Sequence, residues 1–243
     1  EAAAGEGLPK PVVVTDFIVG TGTRETEDLL LSFRKGGEYQ EIWHSLDGDE
    51  DGSDDLFYGA DFADCAMDEG LGAAVYGRFK PVNFTGPDDE FVRKDGGGYE
   101  VFESEKVEYW LMLPSAAPGG AEPAPVVILQ HGIDDSHRGV CKSARLLVEA
   151  GFAVLRFDWP RHGKRGAGGF EFLDISNTSK IRDNFRQSYV DLASAVILVE
   201  DLADELDLLP QGAPDGIKEI DRERIGYMGA SLGSILGFGY LPF

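Results

Sequence analysis

The stretch 224–243, RIGYMGASLGSILGFGYLPF, carries Gly229-Ala230-Ser231-Leu232-Gly233 between a β-like run and an apolar segment. Gly-x-Ser-x-Gly in that position is the pattern of a tight strand-to-helix turn that holds a serine at its tip. Gly229 and Gly233 let strand and helix approach closely. Ser231 then projects its hydroxyl from the carboxyl edge of the sheet, and the following helix aims its N-terminus at any charge developing there. The plainer reading of the same residues is an ordinary turn with Ser231 as an N-cap.

Upstream, strand and helix signals alternate. Residues 107–113 (VEYWLML) form a β-like run closed by Pro114, and 126–130 (VVILQ) is the continuous apolar run of a buried parallel strand. Residues 138–150 read as a helix stopped by Gly151, and 152–157 (FAVLRF) as another buried strand. A long helix is expected from Asn184 to about Leu209, with Phe185, Tyr189, Leu192, Val196, Val199 and Leu202 on one apolar face and Pro210 and Gly212 ending it. This alternation implies an α/β fold, a parallel sheet with helices on both faces.

Two more segments fall on the same carboxyl edge. His131-Gly132-Ile133 follows one strand, and Asp158-Trp159-Pro160-Arg161-His162-Gly163 follows the next. In an acyl-transfer site two backbone N–H groups hold the oxyanion, here expected from Leu232 and Ile133. His131 and His162 are expected to shape their loops rather than act as bases, with Gly132 and Asp158 beside them.

This set of residues resembles the α/β-hydrolases. The His-Gly after one strand, the Asp-Trp-Pro-Arg-His-Gly after the next and the Gly-Ala-Ser-Leu-Gly turn stand in that family's order. A narrower resemblance lies in Asn177, Arg182-Asp183-Asn184-Phe185-Arg186-Gln187 and Asp191-Leu192. It is to bacterial extracellular lipases and lysophospholipases of the virulence-factor type, and Gly77-Arg78-Phe79, Pro81 and Phe84 are similar to their β-rich N-terminal region. Such lipases often have His where this chain has Ala230, and Gly where it has Ser234. The resemblance implies carboxylic-ester hydrolysis through an acyl-enzyme on Ser231, with an acyl-ester or lipid substrate, no cofactor required and an extracytoplasmic place. A peptidase or amidase on the same fold, or a non-catalytic surface binding protein, remains an alternative.

The resemblance also implies a triad in the order Ser, acid, His, and neither His nor Asp or Glu follows Ser231. The expectation is therefore the N-terminal half of the hydrolase sheet, completed by a second polypeptide or a C-terminal segment, with the chain alone inactive. The division expected is 1–105, an acidic β-rich extension with β-like runs at 12–14, 17–19 and 29–33, and 106–243, the core.

Charge sharpens this picture. The chain has 243 residues, 44 acidic against 22 basic, and residues 1–106 hold 25 of the acids with 9 of the bases. Nucleic acid needs clustered Lys and Arg, which are absent, and no apolar run reaches membrane-spanning length. Asp47-Gly48-Asp49-Glu50-Asp51-Gly52 has the alternating carboxylates of a calcium loop, which makes Asp47, Asp49 and Asp51 candidate ligands of a structural Ca²⁺. An EF-hand would carry Glu where Tyr58 stands, and a solvated acidic loop is the alternative. Cys65 and Cys141 form one disulfide or remain two thiols.

Overall fold

The structure, a computed structural model, describes residues 26, 28–33, 37–59, 62, 64–67, 69–115, 123–166, 168–211 and 214–240. The runs expected at 12–14 and 17–19 lie outside the described residues. Seven strands form one sheet: β1 (Trp43–Ser45), β2 (Asp55–Tyr58), β3 (Leu71–Lys80), β4 (Val107–Pro114), β5 (Ala124–Gln130), β6 (Ala153–Phe157) and β7 (Ile220–Gly229). Their order is β1-β3-β4-β6-β5-β7, with β2 also paired to β3. Among the described residues the helices that accompany them include α1 (Cys141–Glu149), α2 (Gly169–Phe172), α3 (Thr178–Glu205) and α4 (Leu232–Tyr240).

The sheet is mixed rather than wholly parallel. β5 runs parallel to β6 and β7, whereas β4 is antiparallel to both β3 and β6. The boundary expected near Glu105 falls between β3 and β4, which pair from Leu71↔Pro114 to Phe79↔Val107. Strands on either side of that point thus share one sheet.

β4 shows how the core is layered, because successive side chains leave a strand on opposite faces. Tyr109, Leu111 and Leu113 join a cluster with Leu192, Leu198 and Leu202 of α3 and Leu232 and Leu236 of α4. Trp110 and Met112 join a second cluster with Ala144 and Val148 of α1. Helices therefore cover both faces.

Two expectations change in detail. The run 29–33 was expected as β-like but is helical at 28–31, where Leu30 and Phe33, three apart, reach one aromatic cluster. The long helix begins at Thr178, not Asn184, because Asn177 caps it by accepting the Lys180 N–H, and it stops at Glu205. Its exposed-looking side is also covered: Val190, Ala193 and Ile197 pack on Phe84, Phe91 and Tyr99. α3 is thus buried between the sheet and the loops after β3. Among the described residues no helix is long and apolar enough to cross a membrane.

Candidate active site

The turn between β7 and α4 is strained. Ser231 has φ 49°, a left-handed conformation that costs a residue with a Cβ of order 1 kcal/mol or more, and its side chain lies on an exposed position. The flanking glycines explain why the turn closes. A Cβ on Gly229 would stand 2.4 Å from the Gly233 carbonyl carbon, and one on Gly233 would stand 2.8 Å from the His131 oxygen. Backbone bonds tie the turn to the end of β5: Ala230 N–H donates to Gln130 O (2.9 Å) and Gly233 N–H to His131 O (3.1 Å). The Tyr227 hydroxyl donates to Gly233 O at 2.5 Å.

Gly132 is the residue that meets the serine. A Cβ there would lie 3.1 Å from Ser231 Cβ and 3.7 Å from its Oγ. The Gly132 backbone therefore lies close against Ser231, where an added Cβ would crowd it, and the next residue, Ile133, is 37% exposed. Leu232 opens α4, so its N–H precedes the first intrahelical acceptor.

Each histidine has a definite place. His131 is fully buried; its Nδ1–H donates to Gly132 O (2.7 Å) and its Nε2 accepts from Trp159 N–H (3.2 Å). Both partners are backbone groups, which fixes the tautomer, and burial lowers the ring's pKa to about 4. His162 is also buried, donates from Nδ1 to Pro160 O (2.9 Å), and has its pKa lowered by burial. His44 lies on β1 with Glu205 (2.9 Å).

His137, which the sequence pattern did not single out, sits between two carboxylates. Its Nδ1 meets Asp158 Oδ1 at 3.0 Å and its Nε2 meets Asp64 Oδ1 at 3.4 Å, while its ring stacks on Trp110 at 3.6 Å. Two acceptors call for two N–H donors, the charged imidazolium. Burial opposes that charge, but the bonds to Asp158 and Asp64 outweigh it and raise the pKa above 6.5. Asp158 responds in the opposite sense: burial pushes its carboxyl up, and His137 more than offsets this and holds it below the ordinary range.

The same cluster continues through Arg156, fully buried, which donates to Asp64 Oδ2 (3.0 Å) and His137 O (2.9 Å). Beside it Cys65 and Cys141 are joined in a disulfide. The loop carrying Asp64, the segment after β5 and the loop after β6 are thereby held together.

The Arg182–Gln187 motif does comparable work on α3. Asp183 accepts from Phe91 N–H (3.0 Å), Asn184 donates to Phe172 O (2.9 Å), and Gln187 accepts from Phe84 N–H (3.1 Å) while donating to Val82 O (2.8 Å). Asp191 binds Arg165 (2.6 Å), which also donates to Asp158 O (2.8 Å). These side chains satisfy the backbone of the loops packed over α3, where unpaired groups would be costly.

In the acidic loop the carboxylates of Asp47, Asp49 and Asp55 come within 4.8 Å of one another. Asp51 instead accepts from Ser53 N–H (2.9 Å). Loop N–H groups already occupy the three: Asp47 accepts from Gly52, Asp49 from Asp51, and Asp55 from Gly48.

No protein-family model matches the chain, and no curated protein sequence does. Solved structures do. A Bacteroides fragilis protein described as an acetyl xylan esterase aligns with TM-score 0.51 at 10% identity, over 90% of this chain and 49% of its own. The acetyl xylan esterase of Paenibacillus sp. R4 aligns at 16% identity and TM-score 0.45, over 90% of this chain and 53% of that one. The glucuronoyl esterase of Solibacter usitatus aligns at 12% identity and TM-score 0.44, over 88% and 54%. The chain spans about half the length of these structures. Strand order, the turn at Ser231 and the Bacteroides fragilis alignment together give this chain the α/β-hydrolase fold.

Proposed function

We propose that this chain carries the nucleophile and oxyanion half of a serine hydrolase that cleaves carboxylic esters. The observation that carries the reading is Ser231 in a left-handed conformation at a strand-to-helix turn, with the backbone of Gly132 against it. Such a turn stores strain, and strain of this kind persists where it positions a reacting group. Ser231 Oγ attacks the ester carbonyl. The N–H groups of Leu232 and Ile133 take the developing oxyanion, each worth about 3 kcal/mol in comparable sites. Water then hydrolyses the acyl-enzyme, and the chemistry needs no cofactor.

A serine hydroxyl needs a base to remove its proton. His131 and His137 are fully engaged by their neighbours, His162 is buried on Pro160, and His44 sits on β1 with Glu205. The base and its acid therefore come from a further polypeptide segment beside β7, whose outer residues are exposed. Acyl esters, lipids included, are the substrate class of this reading, and the fold shared with the Bacteroides fragilis protein described as an acetyl xylan esterase supports ester cleavage. The disulfide supports a place outside the reducing cytoplasm.

Treatment with a fluorophosphonate followed by intact-mass measurement tests the reading on the protein together with any polypeptide that purifies with it. One phosphonyl adduct is expected, mapped to Ser231 and absent from Ser231→Ala, while this chain alone labels slowly or not at all. An assembly that hydrolyses p-nitrophenyl butyrate without modification of Ser231 would overturn it.

A further inference from the structure

We propose that His137 and Asp158 are positioning residues: together they hold loop 132–136 so that the Ile133 N–H is presented to the oxyanion, and they do so only while His137 is protonated. This deepens the reading of Ser231 as the nucleophile and rests on it.

The loop has little to hold it from within. Asp134 has φ 56°, a left-handed conformation that persists only where the surroundings impose it. Among the described residues no backbone acceptor takes the Ile133 N–H, which leaves it open to a ligand. The hold comes from the two ends. At the start, His131 O accepts from Gly233 N–H (3.1 Å). At the far end, where the one-turn helix His137–Val140 begins, all four polar groups of His137 are bound. Its N–H donates to Asp158 Oδ1 (2.7 Å) and its carbonyl accepts from Arg156 (2.9 Å). Its Nδ1 meets Asp158 Oδ1 (3.0 Å) and its Nε2 meets Asp64 Oδ1 (3.4 Å). Asp158 is itself fixed, since Lys164 N–H donates to its Oδ2 (3.3 Å).

Only the imidazolium serves both carboxylates. Loss of its proton turns one ring nitrogen into a lone pair aimed at a carboxylate oxygen. The charged groups around the ring come from every side. Asp158 stands at the end of β6, Asp64 in the loop before β3, Arg156 on β6, and Arg138 on the ring's own turn, while Trp110 of β4 covers one ring face. Both guanidiniums donate to Asp64, Arg156 at 3.0 Å and Arg138 at 2.8 Å, which leaves Asp158 to the ring. A cavity of about 340 Å³, lined by Asp64, Tyr76, Trp110, Arg138 and Lys164, brings water to the partner of Nε2. The ring can therefore exchange its proton, and the far end of the loop loosens when it does.

Hydrogen exchange of the full chain, followed by mass spectrometry of the peptide covering 131–137, tests the hold without any catalysis. Protection of 132–136, corrected for intrinsic exchange, is expected to fall about tenfold from pH 6 to pH 9 in wild type and to be low at both in His137→Phe. Asp158→Asn, which keeps an acceptor for the His137 N–H, should lie between them. Leu155→Ala weakens the fold from the other face of the sheet and should leave the loop's protection at its wild-type pH dependence. In the protein with any polypeptide that purifies with it, His137→Phe should slow fluorophosphonate labelling of Ser231 about tenfold at pH 6 and lower kcat on p-nitrophenyl butyrate with KM unchanged. The ratio of wild type to variant should shrink toward one by pH 9, a comparison in which the titration of the catalytic base cancels. Unchanged loop exchange in both His137→Phe and Asp158→Asn, equal loosening by Leu155→Ala, or a ratio constant with pH would each overturn the proposal. A loop that loosens as expected while Ser231 never labels would keep the hold and remove the serine reading. Normal labelling of Ser231 in His137→Phe would keep the serine reading and remove this inference.

Discussion

β4 and β7 belong to one sheet with two strands between them. Every residue of Val107–Pro114 except Glu108 is buried, whereas in Ile220–Gly229 only Ile220 is. β7 carries four charged residues at 221–224, but its apolar Ile225, Tyr227 and Met228 are not fully buried either. The difference lies in what surrounds them. β4 has β3 and β6 as neighbours, α3 on one face and α1 on the other. β7 has β5 as its sheet neighbour and α3 and α4 packed against it. Met228, Ile235 and Phe238 remain exposed beside it. Burial here follows the number of covered sides, and an uncovered edge is a place where another strand can add.

That contrast predicts where the chain is intolerant. Removing the disulfide by Cys65→Ala/Cys141→Ala, on the β4 side, has the largest expected effect. The bond closes a loop of sequence separation 76, and loss of that restraint costs about 4 kcal/mol in urea unfolding. A cost below about 1 kcal/mol would mean that the buried Asp64–Arg156–His137 cluster alone holds the loop.

Leu155→Ala, fully buried on β6 between β4 and β5, should cost about 3 kcal/mol through lost burial and a cavity. An equal cost for Met228→Ala would erase the contrast between the two regions.

His137→Phe keeps the stack on Trp110 but removes the charge between Asp64 and Asp158. Its pKa is raised in the folded protein, so its stabilisation is complete below the unfolded value of 6.5 and is lost as pH climbs through the folded value. The variant should therefore cost about 2 kcal/mol at pH 6 and less at pH 9, measured by urea unfolding at both. Asp158 has a lowered pKa, so the ion pair also weakens in acid, below its ordinary value of 3.8. A cost that grows toward pH 9 would show that His137 is neutral in the fold.

The smallest effect belongs to the open side. Met228→Lys, at 46% exposure on β7, should change stability by no more than about 0.5 kcal/mol. A cost near that of Leu155→Ala would mean that the edge is covered in solution.

The sequence made the site region more legible than its supports. The five residues at 229–233 announced a strand, a turn and a helix, because two close approaches demand glycine at fixed spacing. His131 and His162 were readable as loop residues from their place after strands. The start of α3 was hidden, because Arg182, Asp183, Asn184 and Gln187 look like a solvated face. Asp183 and Gln187 are polar because they bind the backbone of 82–91, Asn184 because it binds Phe172 O, and Arg182 pairs with Asp183. His137, Asp64 and Arg156 gave no local signal, since Asp64 and Arg156 meet across 92 positions and only the fold brings them together. Nor did composition reveal that strands before Glu105 extend the same sheet, because antiparallel pairing of β3 leaves no periodic mark different from that of a separate extension.

The His131 carbonyl oxygen accepts from the Trp159 indole N–H at 3.2 Å and from Gly233 N–H at 3.1 Å. One oxygen thus joins the ends of β5, β6 and β7. Drift at any of the three strand ends is then felt at the other two, so residues 131, 159 and 233 should vary together, if at all, across sequences that share this arrangement.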